Sequence, residues 1–317
     1  MTKVFMSRPL PKTVQAAARE FCDLTVREIT TPLTRDEMLA SLTDYDAVVP
    51  TLGDLYSADI FAEAGQARCK LLANFGVGYN HIDVDAAKAA GIAVSNTPGA
   101  VTDATADIAL CLMLMTARRA GEGERLLRAG QWEGWHPTQL LGMHLGGKTV
   151  GIVGMGRIGQ AIARRCHYGF GMNVAYASRS PKTLDFPAEA KDSLLALAAA
   201  VDVMVLAVPG GAETHHLINA EVLAAMQPHA MLVNIARGNV VEEAALIDAL
   251  QSGQIAGAGL DVYEFEPEVP QALSDMENVT LLPHLGTAAL EVRTDMGMMS
   301  VANLRAFFAG EPLPNAV

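Results

Sequence analysis

Cysteine is scarce in this chain: four residues in 317, Cys22, Cys69, Cys111 and Cys166, with no CxxC pair and no Cys/His spacing of a metal centre. That excludes a disulfide framework and points to reduced, mostly buried thiols in a cytoplasmic protein. Basic residues are also few. Twenty-three Lys and Arg stand against 35 Asp and Glu, a formal net charge of −12, which argues against nucleic acid or an anionic membrane as the main partner. Long apolar runs are missing as well: the greasiest stretch, residues 108–116, is too short to span a bilayer and is followed by Arg118 and Arg119. Met1 to Ser7 reads as a first strand, since no apolar signal-peptide core follows it. What remains is a chain that is half hydrophobic and able to bury a sizeable core; at roughly 150 residues per domain its length implies two domains.

The most informative segment lies near the middle. An apolar run carrying Val150, Ile152 and Val153 ends in Gly154-Met155-Gly156-Arg157-Ile158-Gly159, and a helical pattern follows at once. Strand, glycine turn and helix in that order form a dinucleotide-binding fingerprint. Gly154 permits the turn, Gly156 lets the backbone approach a pyrophosphate, and Gly159 lets helix and strand pack closely. The diphosphate would sit on the N–H groups at the helix start, Arg157 and Ile158 among them. Because nearly half the chain precedes this loop, the cofactor domain is expected to be inserted in, or appended to, another.

Short β-like runs alternate with helical patterns on both sides of the loop. Strands are expected near residues 4–6, 46–51, 70–74 and 92–95, then 173–177, 203–208, 231–235, 259–262 and 280–282. Helices are expected at 11–21, 34–42, 58–64, 84–90, 103–119 and 289–309, with Thr34 as an N-cap and Gly91 as a C-terminal stop. The pattern predicts an α/β protein of two Rossmann-like domains with doubly wound parallel sheets. Breaks at Asn96-Thr97-Pro98-Gly99 and Pro283-His284-Leu285-Gly286 mark two crossings of the chain. They divide it into a discontinuous substrate domain, residues 1–98 with 286–317, and an inserted dinucleotide-binding domain, residues 99–285, with ligands expected in a cleft between them.

Three polar positions follow successive strands on the side where such sheets bind ligands. Arg237 follows the run ending at Asn234, an acidic cluster with Glu266 follows Asp261, and His284 follows Pro283. Singly, each has an ordinary reading: a surface cation, a solvated acidic loop, a turn residue. Jointly they make a 2-keto acid reductase site. Arg237 offers a planar cation to a carboxylate and keto oxygen. His284 donates a proton to that oxygen as hydride reaches the carbon, and Glu266 orients the imidazole and stabilises its cationic form. His215 and His216 are adjacent and are expected to diverge, so no metal is expected. Met296, Met298 and Met299 read as core.

At these residues the sequence resembles the D-isomer-specific 2-hydroxyacid dehydrogenases along essentially its whole length. The resemblance rests on Asn74-Phe75-Gly76-Val77-Gly78-Tyr79-Asn80-His81-Ile82-Asp83, the glycine loop, Asn234-Ile235-Ala236-Arg237-Gly238, Gly259-Leu260-Asp261-Val262-Tyr263-Glu264 with Glu266-Pro267, and Pro283-His284. It implies Arg237, Glu266 and His284 as catalytic residues and backbone N–H groups around Val77 and Gly78 as the site of the substrate carboxylate. It implies that Asp261 holds the nicotinamide carboxamide, helped by backbone near Ile235, Ala236 and Gly286. The segment Gly130-Gln131-Trp132-Glu133-Gly134-Trp135-His136-Pro137 is most similar to the glyoxylate/hydroxypyruvate reductases of this family. There a tryptophan can reach the partner subunit's active site, so Trp135 is either a substrate-specificity residue or a packing residue of the dimer. Glu266 stands where the family's formate dehydrogenases have glutamine. A homodimer is implied, with the apolar helix of residues 106–117 as its candidate interface. Two alternatives share the motifs: a phosphite or other D-2-hydroxyacid dehydrogenase, and a nicotinamide-sensing corepressor-like binding protein.

The cofactor is read from the next strand. Residues 173–177 end in Ser178-Arg179-Ser180, with no carboxylate where an NAD-preferring site places one for the ribose hydroxyls. Hydroxyls and Arg179, helped by Arg157 and Lys182, suit a 2′-phosphate. NADPH is expected over NADH, although the same turn could tolerate both.

Overall fold

Short apolar strands that alternate with helices leave the backbone one economical solution, a parallel sheet covered on both faces. The computed structural model describes residues 1–317 and takes that solution twice. The chain divides into two units, Met1–Val101 with Thr287–Val317, and Thr102–Gly286.

The first unit holds β1 (Lys3–Met6), α1 (Lys12–Arg19), β2 (Asp23–Val26), α2 (Arg35–Asp44), β3 (Ala47–Val49), α3 (Ala58–Ala64), β4 (Leu71–Ala73), α4 (Val84–Ala89) and β5 (Ala93–Ser95). Its parallel sheet has the order β2-β1-β3-β4-β5. One core, with Leu42, Ile60, Leu72 and Ile92, lies under α2, α3 and α4; another, with Val4, Val14, Leu71 and Leu304, packs α1 and the last helix of the chain against the sheet. Thr34 caps α2 in a reciprocal box: its hydroxyl accepts from Glu37 N–H at 3.3 Å, and the Glu37 carboxylate accepts from Thr34 N–H at 2.9 Å. The strand β2 is absent from the sequence reading. It lies at a sheet edge with its residues partly exposed, so Asp23-Leu24-Thr25-Val26 shows no apolar run.

The second unit holds α5 (Thr102–Ala117), α6 (Ala120–Arg128), β6 (Thr149–Val153), α7 (Arg157–Phe170), β7 (Asn173–Ala177), β8 (Glu189–Ala190), α8 (Leu194–Ala200), β9 (Val203–Leu206), α9 (Ala220–Ala225), β10 (Met231–Asn234), α10 (Glu243–Gln251), β11 (Gly257–Leu260), α11 (Gln271–Ser274) and β12 (Val279–Leu281). The chain then returns to the first unit as α12 (Leu290–Phe308). The sheet order is β12-β11-β10-β9-β6-β7-β8, again parallel throughout. The order reverses between β6 and β9, and the crevice beyond the carboxyl ends of those strands is the ligand position of such sheets. Most of the apolar face of α5 is spent inside this unit: Ala106, Ala109, Leu112 and Met113 are buried in the core on the α7 side of the sheet. Ala104, Ile108, Cys111, Leu114 and Met115 remain partly or largely exposed. Cys69 and Cys166 are buried thiols, each pushed up to about 12 by that burial.

In the first unit the same reversal falls between β1 and β3, and a buried carboxylate secures it. Asp54 is fully buried and accepts from Ser7 Oγ at 2.6 Å, Thr51 N–H at 2.8 Å, Leu33 N–H at 3.0 Å and Arg8 Nη2 at 3.4 Å. Arg8 also donates to the Leu52 carbonyl at 2.6 Å. Asp54→Ala would orphan these donors, and we expect it to lower unfolding stability by about 3 kcal/mol. An unchanged urea midpoint would show that the pin carries no weight.

Candidate active site

The glycine loop is shaped by two kinds of constraint. Gly154 adopts φ +97°, and a Cβ there would lie 2.7 Å from the Ala207 carbonyl oxygen. A Cβ at Gly159 would lie 2.2 Å from the Gly154 carbonyl oxygen. Protein packing thus explains both. Gly156 is different: a Cβ there would meet nothing within 4 Å, so the loop is open on that side to the close approach of a ligand. Gly156 is also the N-cap of α7, and no side chain caps the helix. Backbone donors and the positive end of the helix dipole therefore face a cavity of about 490 Å³, lined by this loop, by Ser178, Arg179, Ser180 and Lys182, and by Ala207, Val208 and Pro209. A dinucleotide diphosphate fits that cradle.

The ends of β10, β11 and β12 bring the three polar residues together. After β10, the Asn234 side chain builds the turn, accepting from Ala236 N–H at 3.0 Å and donating to the Arg237 carbonyl at 3.0 Å. Ile235 and Ala236 are buried beneath it. Arg237 donates from Nη1 to the Ala236 carbonyl at 2.6 Å. Burial draws its guanidinium below the ordinary value, opposed by the negative charge of Glu266. The other guanidinium N–H groups make no bond within the fold and are available to an anionic ligand.

Glu266 accepts from Tyr263 N–H at 3.1 Å with one oxygen and meets His284 Nδ1 at 2.9 Å with the other. Burial would raise this carboxyl, but the His284 hydrogen bond and charge, with Tyr263 N–H and Arg237, bring it below the usual range. It is a carboxylate near neutral pH. With Nδ1 committed to Glu266, the imidazole has Nε2 left for a reacting group.

Asp261, at the end of β11, fixes the loop that carries the histidine. Its carboxylate accepts from Leu285 N–H at 2.6 Å and Gly286 N–H at 2.8 Å, and its main-chain carbonyl accepts from His284 N–H at 3.0 Å. His284 itself adopts a left-handed φ of 54°. Burial raises the Asp261 carboxyl, while the two N–H bonds and the histidine oppose the rise. Both Asp261 oxygens thus already hold backbone of the His284 loop.

Val77 and Gly78 follow β4 in the first unit. The Asn74 side chain donates to the Gly76 and Gly78 carbonyls at 3.0 and 3.1 Å, and Asn96 donates to the Val77 carbonyl at 2.9 Å. The loop's acceptors are consumed internally, while no bond of the fold takes Val77 or Gly78 N–H. His81 meets Asn74 Oδ1 at 3.0 Å and so helps hold this loop. Trp135 lies outside regular structure and is 79 % exposed; the single chain does not bring it to the Arg237, Glu266 and His284 cluster. A larger cavity, about 830 Å³, opens at the opposite, amino-terminal ends of β6, β10 and β12 beside Lys148, Met231 and Val279, and no nominated residue lines it.

The adjacent pair His215 and His216 departs from the expected divergence: their ring centroids are 3.9 Å apart. His216 takes a left-handed φ of 50°, which breaks the alternation of an extended chain. Its Nε2 meets Glu264 at 2.6 Å, and the Glu264 carboxylate also accepts from Glu243 N–H at 3.3 Å.

With this geometry in place, comparison with known proteins becomes specific. Residues 110–286 match the family model described as D-isomer specific 2-hydroxyacid dehydrogenase, NAD binding domain. The chain is 43 % identical to a glyoxylate reductase of Thermococcus onnurineus over 99 % of its own length and 95 % of the relative's. It is 36 % identical to a glycerate dehydrogenase of Hyphomicrobium methylovorum, covering 99 % and 98 %. The fold superposes with a TM-score of 0.88 on an NADPH-dependent glyoxylate/hydroxypyruvate reductase of Sinorhizobium meliloti solved with NADP and malonate, at 38 % identity over 100 % of this chain and 96 % of that one. The chain belongs to the D-isomer-specific 2-hydroxyacid dehydrogenases, nicotinamide-dependent oxidoreductases acting on the CH–OH group of 2-hydroxy acids.

The site depends on one close approach. A Cβ at Gly238 would fall 1.8 Å from the Tyr263 carbonyl group, so the Arg237 turn lies directly on the Tyr263–Glu264 peptide that precedes Glu266. Gly238→Ala must separate the two loops. We expect a lower melting temperature and at least a tenfold loss of turnover. Wild-type activity in that variant would contradict the coupling of the loops.

Proposed function

We propose that the chain reduces small 2-keto acids, glyoxylate and hydroxypyruvate, to 2-hydroxy acids with NADPH preferred and NADH tolerated. The observation that carries this reading is the His284–Glu266 contact of 2.9 Å with Arg237 close enough to lower the same carboxylate. A proton donor, its orienting anion and a cation for the substrate then stand on three consecutive strand ends.

When bound, the reduced nicotinamide supplies the hydride that the carbonyl carbon accepts. His284 gives its Nε2 proton to the carbonyl oxygen, which gains the electron pair of the broken π bond. Glu266 holds Nδ1–H and stabilises the charged imidazole before the transfer. Arg237 binds the carboxylate and polarises the keto oxygen, and burial strengthens both effects by excluding water. Val77 and Gly78 N–H groups bind the carboxylate, in a loop that Asn74 and Asn96 keep rigid. Gly154, Gly156, Arg157, Ile158 and Gly159 cradle the diphosphate; Ser178, Arg179 and Ser180 take the 2′-phosphate; Ile235, Ala236, Asp261 and Gly286 border the nicotinamide. The first unit serves as the substrate domain and the second as the cofactor domain. A homodimer covers the half-exposed stripe of α5 and brings Trp135 to the partner. No helix is long and apolar enough to cross a membrane.

Initial rates with glyoxylate and hydroxypyruvate, each with NADPH and NADH, test the reading. Strong turnover favouring NADPH is expected; a preference for NADH would remove the 2′-phosphate assignment, and no turnover would remove the reductase. His284→Ala should lower kcat about a hundredfold or more, and Arg237→Ala should raise KM and lower kcat together. Full activity in either variant would take that residue out of the site.

A further inference from the structure

The end of β7 carries no acid in sequence, yet the fold delivers one there. Glu213 lies in a 3-10 turn, Ala212–Thr214, in the loop after β9, and its Oε2 stands 3.0 Å from Arg179 Nη1. Val208 and Pro209 of the same loop line the cavity that Arg179 lines. We propose that Glu213 limits the discrimination of NADPH from NADH by competing with the 2′-phosphate for Arg179. This rests on the reading of Ser178 to Ser180 as the 2′-phosphate subsite.

Hydrogen bonds on both sides of the acid hold its main chain. Thr214 Oγ1 donates to the Pro209 carbonyl at 2.8 Å and the Gly211 carbonyl at 3.2 Å, and beyond the turn His216 N–H donates to the Asn239 carbonyl at 2.8 Å. The exposed Glu213 side chain carries no such restraint beyond its contact with Arg179. The two side chains are 85 % and 82 % exposed, so the pair is weak and a doubly charged phosphate readily takes the guanidinium. The displaced carboxylate then remains within a side chain's reach of the phosphate, and like charges at that range repel. A 2′-hydroxyl neither requires the Arg179 charge nor suffers the repulsion. Other charges nearby do not replace this effect: Lys182 donates to Ser180 Oγ, Lys191 is paired with Glu189, and Asp192 lines the cavity without bonding Arg179 or Lys182. Glu213 thus acts as an NAD-type acid does, but from the neighbouring loop.

Calorimetric titration of the full chain with 2′,5′-ADP and with 5′-AMP at low ionic strength tests this without turnover. Glu213→Gln should tighten 2′,5′-ADP by about three- to tenfold, leave 5′-AMP unchanged, and lose the gain in roughly 0.5 M salt. Arg179→Ala should weaken 2′,5′-ADP alone. If Arg179→Ala weakens it while Glu213→Gln leaves it unchanged or weaker, Glu213 is not a competitor and the inference is overturned. If Arg179→Ala leaves 2′,5′-ADP binding intact, the subsite assignment fails, and the inference with it.

Discussion

Three consecutive backbone N–H groups, those of His284, Leu285 and Gly286, end on one buried residue, Asp261. The rest of the site depends on that arrangement. A left-handed conformation costs an ordinary residue about 1–2 kcal/mol, and His284 keeps it because three hydrogen bonds, two of them to a charged acceptor, hold the loop around it. The result is an imidazole whose Nδ1 meets Glu266 and whose Nε2 is left over. Asp261 is therefore structural first: its orientation of the His284 loop precedes anything it contributes to a nicotinamide.

Electrostatics couples the three strand ends. Glu266 is a half-buried acid that would be raised by burial alone, and it stays ionised because His284 and Arg237 face it. By reciprocity the same carboxylate stabilises the positive charge of Arg237. The guanidinium, drawn down by burial, remains charged. The site thus holds the Glu266 carboxylate between the Arg237 cation and the His284 imidazole before any ligand arrives.

The sequence reading was strongest where a residue's role is set by its immediate neighbours. The glycine loop, the N-cap at Thr34 and the positions of Arg237, Glu266 and His284 after apolar strands all follow from local pattern. It failed where roles are set at long range. The edge strands β2 and β8 lack apolar runs, and α6 has no buried residue to give it an apolar face. Asn74 and Asn96, which freeze the loop of Val77 and Gly78, are unremarkable polar residues until the sheet brings them together. Glu213 reaches Arg179 only because β9 lies beside β6, which lies beside β7. The close approach of the His215 and His216 rings depends on a single positive φ that nothing in the residue types requires.

The role of His284 as proton donor is tested most directly by the single-turnover rate of glyoxylate reduction with NADPH bound, followed across pH. Only the protonated imidazole can donate. The rate should therefore be level at low pH and fall about tenfold per pH unit once Nε2 loses its proton. A rate that stays flat through the imidazole's titration would mean that the proton comes from elsewhere, and the Asp261-anchored histidine would not be the acid.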